Sequence, residues 1–318
     1  MARRRSGLAG GALVLGGMAV VGLLAPLLAS EKPLLERGSR GLRSPALLVA
    51  VGFSAPFDPS ARVILRAPVP HAPYDVDLEA VLASPSREHW LGTDGLGRDL
   101  TARLIHGARV SLSVGLLTAS LALLVGVPLG ALAGYRGGTF DAVVSRGIEA
   151  FLCFPSLLLA LALLAASPAW LAALPDGLRV AIVLGVTGWT TVARYLRGEF
   201  LRLKGSEIVE AARASGAGHL RIAVRHVLPS ALAPVLVTAA FAVGAAILLE
   251  AALSFLGLGV RPPTASWGGL LTEARVHVES AWWLALFPGI ALFAAVLACN
   301  LVGEGIRDLL DPRARETP

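Results

Sequence analysis

Three stretches of this sequence place residues that do chemistry at short spacing. The first is Gly92-Thr93-Asp94-Gly95-Leu96-Gly97-Arg98-Asp99, where glycines alternate with acids and a guanidinium. A glycine-rich loop can hold a phosphate on its backbone N–H groups. This one lacks the G-x-G-x-x-G spacing and a βαβ setting, so a tight external turn ordered by Asp94, Arg98 and Asp99 is expected instead. The second is Glu250, alone in Ile247-Leu248-Leu249-Glu250-Ala251-Ala252. Low dielectric and the C-terminal end of a helix dipole both disfavour a carboxylate there, so it must face a cavity or a partner. Two readings stand: a pathway or gate group able to meet an ammonium, or an ion pair with Arg109 or Arg261. The third is Glu210-Ala211-Ala212, with Gly216 and then His226, Leu228 and Pro229 at fixed distances after it.

Other chemistries lack their residues. A phosphate-binding P-loop needs Gly-Lys-Ser/Thr. Neither lysine, Lys32 or Lys204, follows a glycine. His106, His219 and His277 are scattered, and Cys153 and Cys299 have no CxxC spacing, so no metal site is expected. With no Ser/His/Asp set either, the chain is expected to carry no catalytic residue and no cofactor.

The elements around these residues are apolar. Of 318 residues 55% are hydrophobic and 16% charged, with a mean hydropathy of +0.70. A soluble domain carries about 25% charged residues, so a polytopic membrane protein is the reading that remains. Six stretches reach the roughly 20 residues a bilayer core requires: Leu8–Ala29, Ala108–Gly134, Gly147–Ala166, Leu178–Leu196, Ser230–Ser254 and Ala281–Gly303. Pro45–Phe57 is too short and reads as re-entrant or interfacial. A signal peptide at the N-terminus is disfavoured by the length of its apolar stretch and by Leu28-Ala29-Ser30 as a cleavage site. Gly7 and Gly11 form a GxxxG packing signal, and Pro128, Pro155 and Pro288 are expected to kink their spans.

Arginine sets the orientation. With the N-terminus inside, 15 basic residues face the cytoplasm: Arg3–Arg5, Arg136, Arg146, Arg194, Arg197, Arg202, Lys204, Arg213, Arg221, Arg225, Arg307, Arg313 and Arg315. The short external loops and their flanks hold 3, namely Arg179, Arg261 and Arg275. The ten others lie in and beside a long external segment, where the positive-inside rule loses force. The expected fold is therefore all-α, with six spans, N-in and C-in. Its net charge of +6 is a topology signal and not a nucleic-acid footprint. The expected divisions are 1–29 (tail and first span), 30–106 (external), 107–303 (five-helix core with a cytoplasmic loop at 198–229) and 304–318 (cytoplasmic tail).

The cytoplasmic loop reads as two short helices. Ser206 is a good N-cap, Glu207 and Glu210 suit the first turns, and Gly216 and Gly218 stop the helix. A second helix spans about His219–Leu228, after which Pro229 opens the next span. Taken alone, this could be an amphipathic loop lying on lipid headgroups. The full spacing of Glu210-Ala211-Ala212, Gly216 and Leu228-Pro229 resembles the EAA signature of ABC importer permeases. His226 stands where the general pattern has Ile, as in the peptide-importer subgroup.

Further stretches resemble the dipeptide/oligopeptide/nickel permeases: His89–Asp99 with Gly107-Ala108-Arg109, Phe154-Pro155-Ser156, Gly188–Arg194, Leu253–Gly259, Ser266-Trp267-Gly268, and Asn300–Gly305 with Asp311-Pro312-Arg313. Glu304 stands where Asp is usual, and residues Ser30–Ala72 depart from the pattern. The likeness covers about Tyr74–Arg313. It implies a MetI-like permease subunit, C-type, in a prokaryotic inner membrane. It also implies partners: a homologous permease subunit, two cytoplasmic ATPases that hold ATP and magnesium, and an external binding protein. The implied cargo is di- or oligopeptides, with nickel or another small solute as the alternative. An ion-coupled secondary transporter, the rival of another class, would need acid relays in several spans, and only Glu250 qualifies.

Overall fold

Backbone polar groups in an apolar medium have to be satisfied within their own segment, which favours helix over every open alternative. The computed structural model describes residues 2–38, 41–50 and 61–310, and most of them are helical. Helix α1 (Ala2–Leu23) is followed by the short α2 (Ala25–Leu28). Three antiparallel strands come next: β1 (Leu35–Gly38), β2 (Gly41–Arg43) and, after α3 (Pro45–Ala50), β3 (Arg62–Leu65). They form one sheet in the order β2-β1-β3, with Glu36 opposite Arg43 on one side and Val63 on the other. This sheet corrects the all-α expectation. Around these strands the sequence is interrupted by Pro33, Gly38, Gly41 and Pro45, so its short apolar pieces pair across strands instead of continuing as a helix. The stretch Pro45–Phe57 begins as α3, and its remainder after Ala50 lies outside the described residues.

The other helices are α4 (Leu100–Arg136), α5 (Gly138–Leu152), α6 (Ser156–Ala165), α7 (Ala169–Ala172), α8 (Asp176–Leu203), α9 (Glu207–Ala214), α10 (His219–Arg221), α11 (Leu228–Phe255), α12 (Trp267–His277) and α13 (Trp283–Leu310). Among the described residues, three helices are long and apolar enough to cross a membrane: Leu100–Arg136, the unbroken His219–Phe255 and Trp283–Leu310. The expected span Gly147–Ala166 is not one helix. It is divided between α5 and α6, which meet at a bend of 89° and would count as a fourth crossing if taken together. Pro155 was expected to kink this span. It ends the helix because it offers no N–H and biases Phe154 away from helical geometry. Pro128 and Pro288, by contrast, lie inside α4 and α13 without ending them, and so does Pro234 in α11. In place of the expected span Leu8–Ala29, the apolar part of α1 is the shorter Gly7–Leu23. In α8, Arg179 and Arg194 flank the apolar stretch. The C-terminal Asp311-Pro312-Arg313 and Arg315 lie outside the described residues.

A second correction concerns Pro229. The helix that starts at His219 does not stop before it but passes into α11 through a π-helical turn, Ile222–Val227, closed by a bond from Leu228 N–H to the Ala223 carbonyl. A proline inside an α-helix collides with the carbonyl four residues earlier, and a wider turn at that place relieves the collision.

The chain divides into two units. The first comprises Met1–Val14, Val114–Leu249 and Val296–Pro318, and the second Leu15–Ser113 and Glu250–Ala295. In the first unit, glycines let helices approach backbone to backbone. A Cβ at Gly126 would stand 2.7 Å from the Trp189 carbonyl oxygen, at Gly130 2.5 Å from that of Ala193, and at Gly134 2.7 Å from that of Arg197. The sequence therefore carries a G-x-x-x-G-x-x-x-G ridge along α4 that seats α8. Gly11 likewise sits against α13, where a Cβ would come 2.8 Å from the Ala298 carbonyl oxygen. Beside the ridge, Val192, Leu196 and Phe200 of α8 form one buried cluster with Val209, Ile222, Val227, Ala231 and Val235.

Gly130→Val should lower the stability of the detergent-purified protein by about 1–3 kcal/mol, because the ridge has no room for a larger side chain. A thermal melt compared with Gly147→Val tests this, since a Cβ at Gly147 would meet nothing within 4 Å.

Candidate functional site

The Glu210–Pro229 stretch is held from beneath and presented above. Val209, Ile222 and Val227 are each about 1% exposed and anchor it in the core cluster. Glu210, Ala211 and Gly216 are exposed, Ala212, His226 and Leu228 are half-buried, and Pro229 is exposed. Ile208 (63% exposed), Leu220 (77%) and Val224 (54%) add apolar surface to the same segment. Long side chains on one segment thus point two ways, one set into the fold and one set out of it.

The spacing from the Ala pair to Gly216 has a local cause. At the end of α9, Ala217 N–H bonds to the Ala212 carbonyl and Gly216 N–H to the Arg213 carbonyl, each at 3.0 Å. These are the two bonds of a Schellman cap, which needs a left-handed residue between them. Gly216 supplies it at φ +77°. Around the base, Lys204 Nζ donates to the Tyr135 carbonyl at 2.8 Å and Tyr135 Oη lies 3.2 Å from His219 Nδ1. Arg197 grips the Asp141 carboxylate with two nitrogens, Nη2 reaching Oδ2 at 2.7 Å. This joins the first turn of α5 to α8.

In the second unit, the Gly92–Asp99 stretch forms an ionic knot. Asp94 is fully buried, and its Oδ1 accepts the backbone N–H groups of Leu96 (2.8 Å) and Arg98 (3.1 Å). Its Oδ2 receives Arg98 Nε at 2.8 Å and also Arg103 Nη1. Both arginines continue to Glu273 on α12, Arg98 Nη2 at 3.1 Å and Arg103 Nη2 at 2.8 Å. Two acids and two guanidiniums thus neutralise one another, with Asp94, Arg98 and Arg103 buried and Glu273 half-buried. Thr93 Oγ1 accepts the Ala83 N–H at 2.8 Å, and the Thr93 carbonyl accepts Trp283 Nε1 at 3.1 Å. Gly97 has φ +74°, and any Cβ there would overlap the Asp77 carbonyl. Gly92, at φ +81°, lies against the Trp283 ring. Asp99 caps α4 by accepting the Ala102 N–H at 2.7 Å, so that helix begins inside the 30–106 stretch assigned to an external segment.

Glu250 is also fully buried. Its partners differ from those expected of an ion pair with Arg109 or Arg261: three serine hydroxyls converge on it. Ser254 Oγ donates at 2.7 Å, Ser111 Oγ at 3.1 Å, and Ser266 is the third. The same serines bind backbone, since Val260 N–H reaches Ser254 Oγ at 3.0 Å and Trp267 N–H reaches Ser111 Oγ at 3.2 Å. A Cβ at Gly259 or Gly268 would overlap Ser254 or Ala251. The Leu253–Gly259 and Ser266-Trp267-Gly268 stretches are therefore one packed corner around this carboxylate.

Sequence reasoning passed over Arg103, Glu273 and Trp283. Arg103 carried a usable signal, since a charge in the opening turns of an apolar helix has to be paired. Glu273 carried none, standing 170 residues away from it.

Residues 126–316 match the family of binding-protein-dependent transport system inner membrane components. This chain belongs to that family. The permease is 45% identical over 232 residues to a peptide transport system permease protein of Brucella suis, covering 73% of this chain and 76% of that one. It is 41% identical over 234 residues to the dipeptide transport system permease protein DppC of Alkalihalophilus pseudofirmus, covering 74% and 75%. A second Brucella suis protein, a peptide permease, is 38% identical over 292 residues, covering 90% and 93%. Among solved structures, an inward-facing form of the MetNI methionine ABC transporter aligns with a TM-score of 0.56 at 19% identity, covering 67% of this chain and 98% of that one. That likeness establishes the fold.

Two outcomes follow. Arg103→Met leaves Asp94 and Glu273 short of a cation and should cost about 3–5 kcal/mol, read as a lower melting temperature. Glu250→Leu strips three buried hydroxyls of their acceptor and should cost about 1–3 kcal/mol, while Glu250→Gln, which keeps an acceptor oxygen, should cost less.

Proposed function

We propose that this permease is one of two homologous membrane subunits of an ATP-driven importer of di- or oligopeptides. Cargo reaches it from an external binding protein. Two cytoplasmic ATPases, which hold the ATP and magnesium, drive it through the Glu210–Pro229 loop. The observation that carries this reading is the loop itself. A capped helix presents Glu210 and Ala211 beside outward-facing Ile208, Leu220 and Val224. Such a segment exposes large apolar side chains together with charged ones, the mixture a docking patch uses. The peptide assignment rests on the names carried by relatives at 38–45% identity. In this arrangement the chain crosses the membrane six times with both ends inside, and residues 30–106 are external. Asp94, Arg98 and Asp99 order the outer mouth. Nucleotide acts by binding one orientation of the spans better than the other. Glu250, held by three serines, stabilises the corner where α11 meets α12.

The test is co-purification with the ATPase pair and uptake in vesicles. Gly216→Val should reduce ATPase capture and uptake at least tenfold, about 1.4 kcal/mol of coupling, because β-branched residues resist left-handed backbone. Gly216→Asn should retain more of both. Peptide transport by the lone chain in liposomes would overturn the proposal.

A further inference from the structure

The ionic knot accounts for Asp94, Arg98, Arg103 and Glu273, but it leaves a second polar cluster beside it unexplained. His71, His89 and Asp99 come from three separate turns of the second unit, and one donor atom from each lies within 4.8 Å of the other two. His89 and Asp99 are buried and His71 is half-buried. Their spacing in sequence matches no ligand pattern, which is why the histidine inventory pointed elsewhere.

The geometry is close to what a metal ion requires. His89 Nδ1 stands 2.9 Å from Asp99 Oδ2. Two ligands on a tetrahedral ion with bonds of about 2.0–2.1 Å lie roughly 3.3 Å apart, so an opening of a few tenths of an ångström admits it. The His71 ring lies beside the His89 ring, with centroids 4.7 Å apart and planes inclined by 34°, so the third donor is within 4.8 Å of the other two and closes on an ion by a turn of the half-buried His71 side chain. Two of the three residues are already held by neighbours. Asp99 Oδ1 accepts the Ala102 N–H at 2.7 Å, and the His89 backbone N–H donates to Ser86 Oγ at 3.1 Å, which fixes the turn that carries the ring. Ligands fixed from behind lose little freedom when an ion arrives.

We propose that His71, His89 and Asp99 form a binding site for a divalent transition-metal ion, zinc by its preference for this donor set. Two imidazoles and one carboxylate suit zinc, cobalt or nickel and not magnesium or calcium, which take oxygen ligands. Three protein ligands leave a fourth position for water or for a group on a docking partner. The ion ties the stretch after β3, the turn at Ser86–His89 and the first turn of α4 into one clip. It stabilises the fold in proportion to its occupancy.

The test uses the full-length permease purified in detergent through a tag without histidines and stripped with a chelator. Titrated cobalt(II) should give the visible absorption of a low-coordinate site at one equivalent, displaced by zinc, and zinc should raise the melting temperature. His71→Ala keeps the His89–Asp99 hydrogen bond and should melt normally in chelator, yet bind cobalt at least tenfold more weakly. His277→Ala should bind like the parent. No saturable cobalt binding by the parent, or equal binding by His71→Ala, would overturn the proposal.

Discussion

A charge removed from water has to be met at once by an opposite charge or by directed hydrogen bonds, and in a chain this apolar that requirement governs the layout. The set of Asp94, Arg98, Arg103 and Glu273 meets it with charge against charge, drawing together a turn, the start of α4 and the face of α12. Glu250 meets it with three hydroxyls, and in doing so fixes the end of α11 to α12 and α4. Neither arrangement tolerates a missing member, because each partner left over would itself become an unmet polar group. The glycines nearby are consequences: Gly97, Gly259 and Gly268 are the places where backbone has to pass close enough for those bonds to form.

Between helices the constraint changes. Lipid is as apolar as leucine, so burial of apolar area does little to join one span to the next, and close packing has to do it. The ridge of Gly126, Gly130 and Gly134 provides this by exposing a strip of bare backbone to α8. Large apolar side chains such as Leu116, Leu124 and Phe293 remain outward-facing, as a membrane solvent permits.

What could be read from the residues was what is set locally. The cap at Gly216 is such a case, since a left-handed residue four places after Ala212 is required by bonds within that turn. The helical stretches around 108–134, 230–254 and 281–303 were legible for the same reason. The knot was not, because Glu273 meets Arg103 only after the chain has folded back. Nor was the π-helical turn at Ile222–Val227, whose cause, Pro229, had seemed harmless at a span's first turn. The strands at 35–65 escaped notice because they are short and lie in the stretch that departs from the family's pattern. His71 and His89 were passed over because separation along the chain says nothing about rings that end up side by side.

The π-helical turn has a mechanical meaning. Because it bridges Pro229 without interrupting the helix, His219–Phe255 is a single helix of 37 residues, about 55 Å long at roughly 1.5 Å per residue. One end carries the exposed loop and the other ends five residues beyond Glu250. A hinge at Pro229 would have absorbed a displacement near Gly216. A turn that stays helical passes it on instead to Ala231 and Val235, which share one buried cluster with Ile222 and Val227.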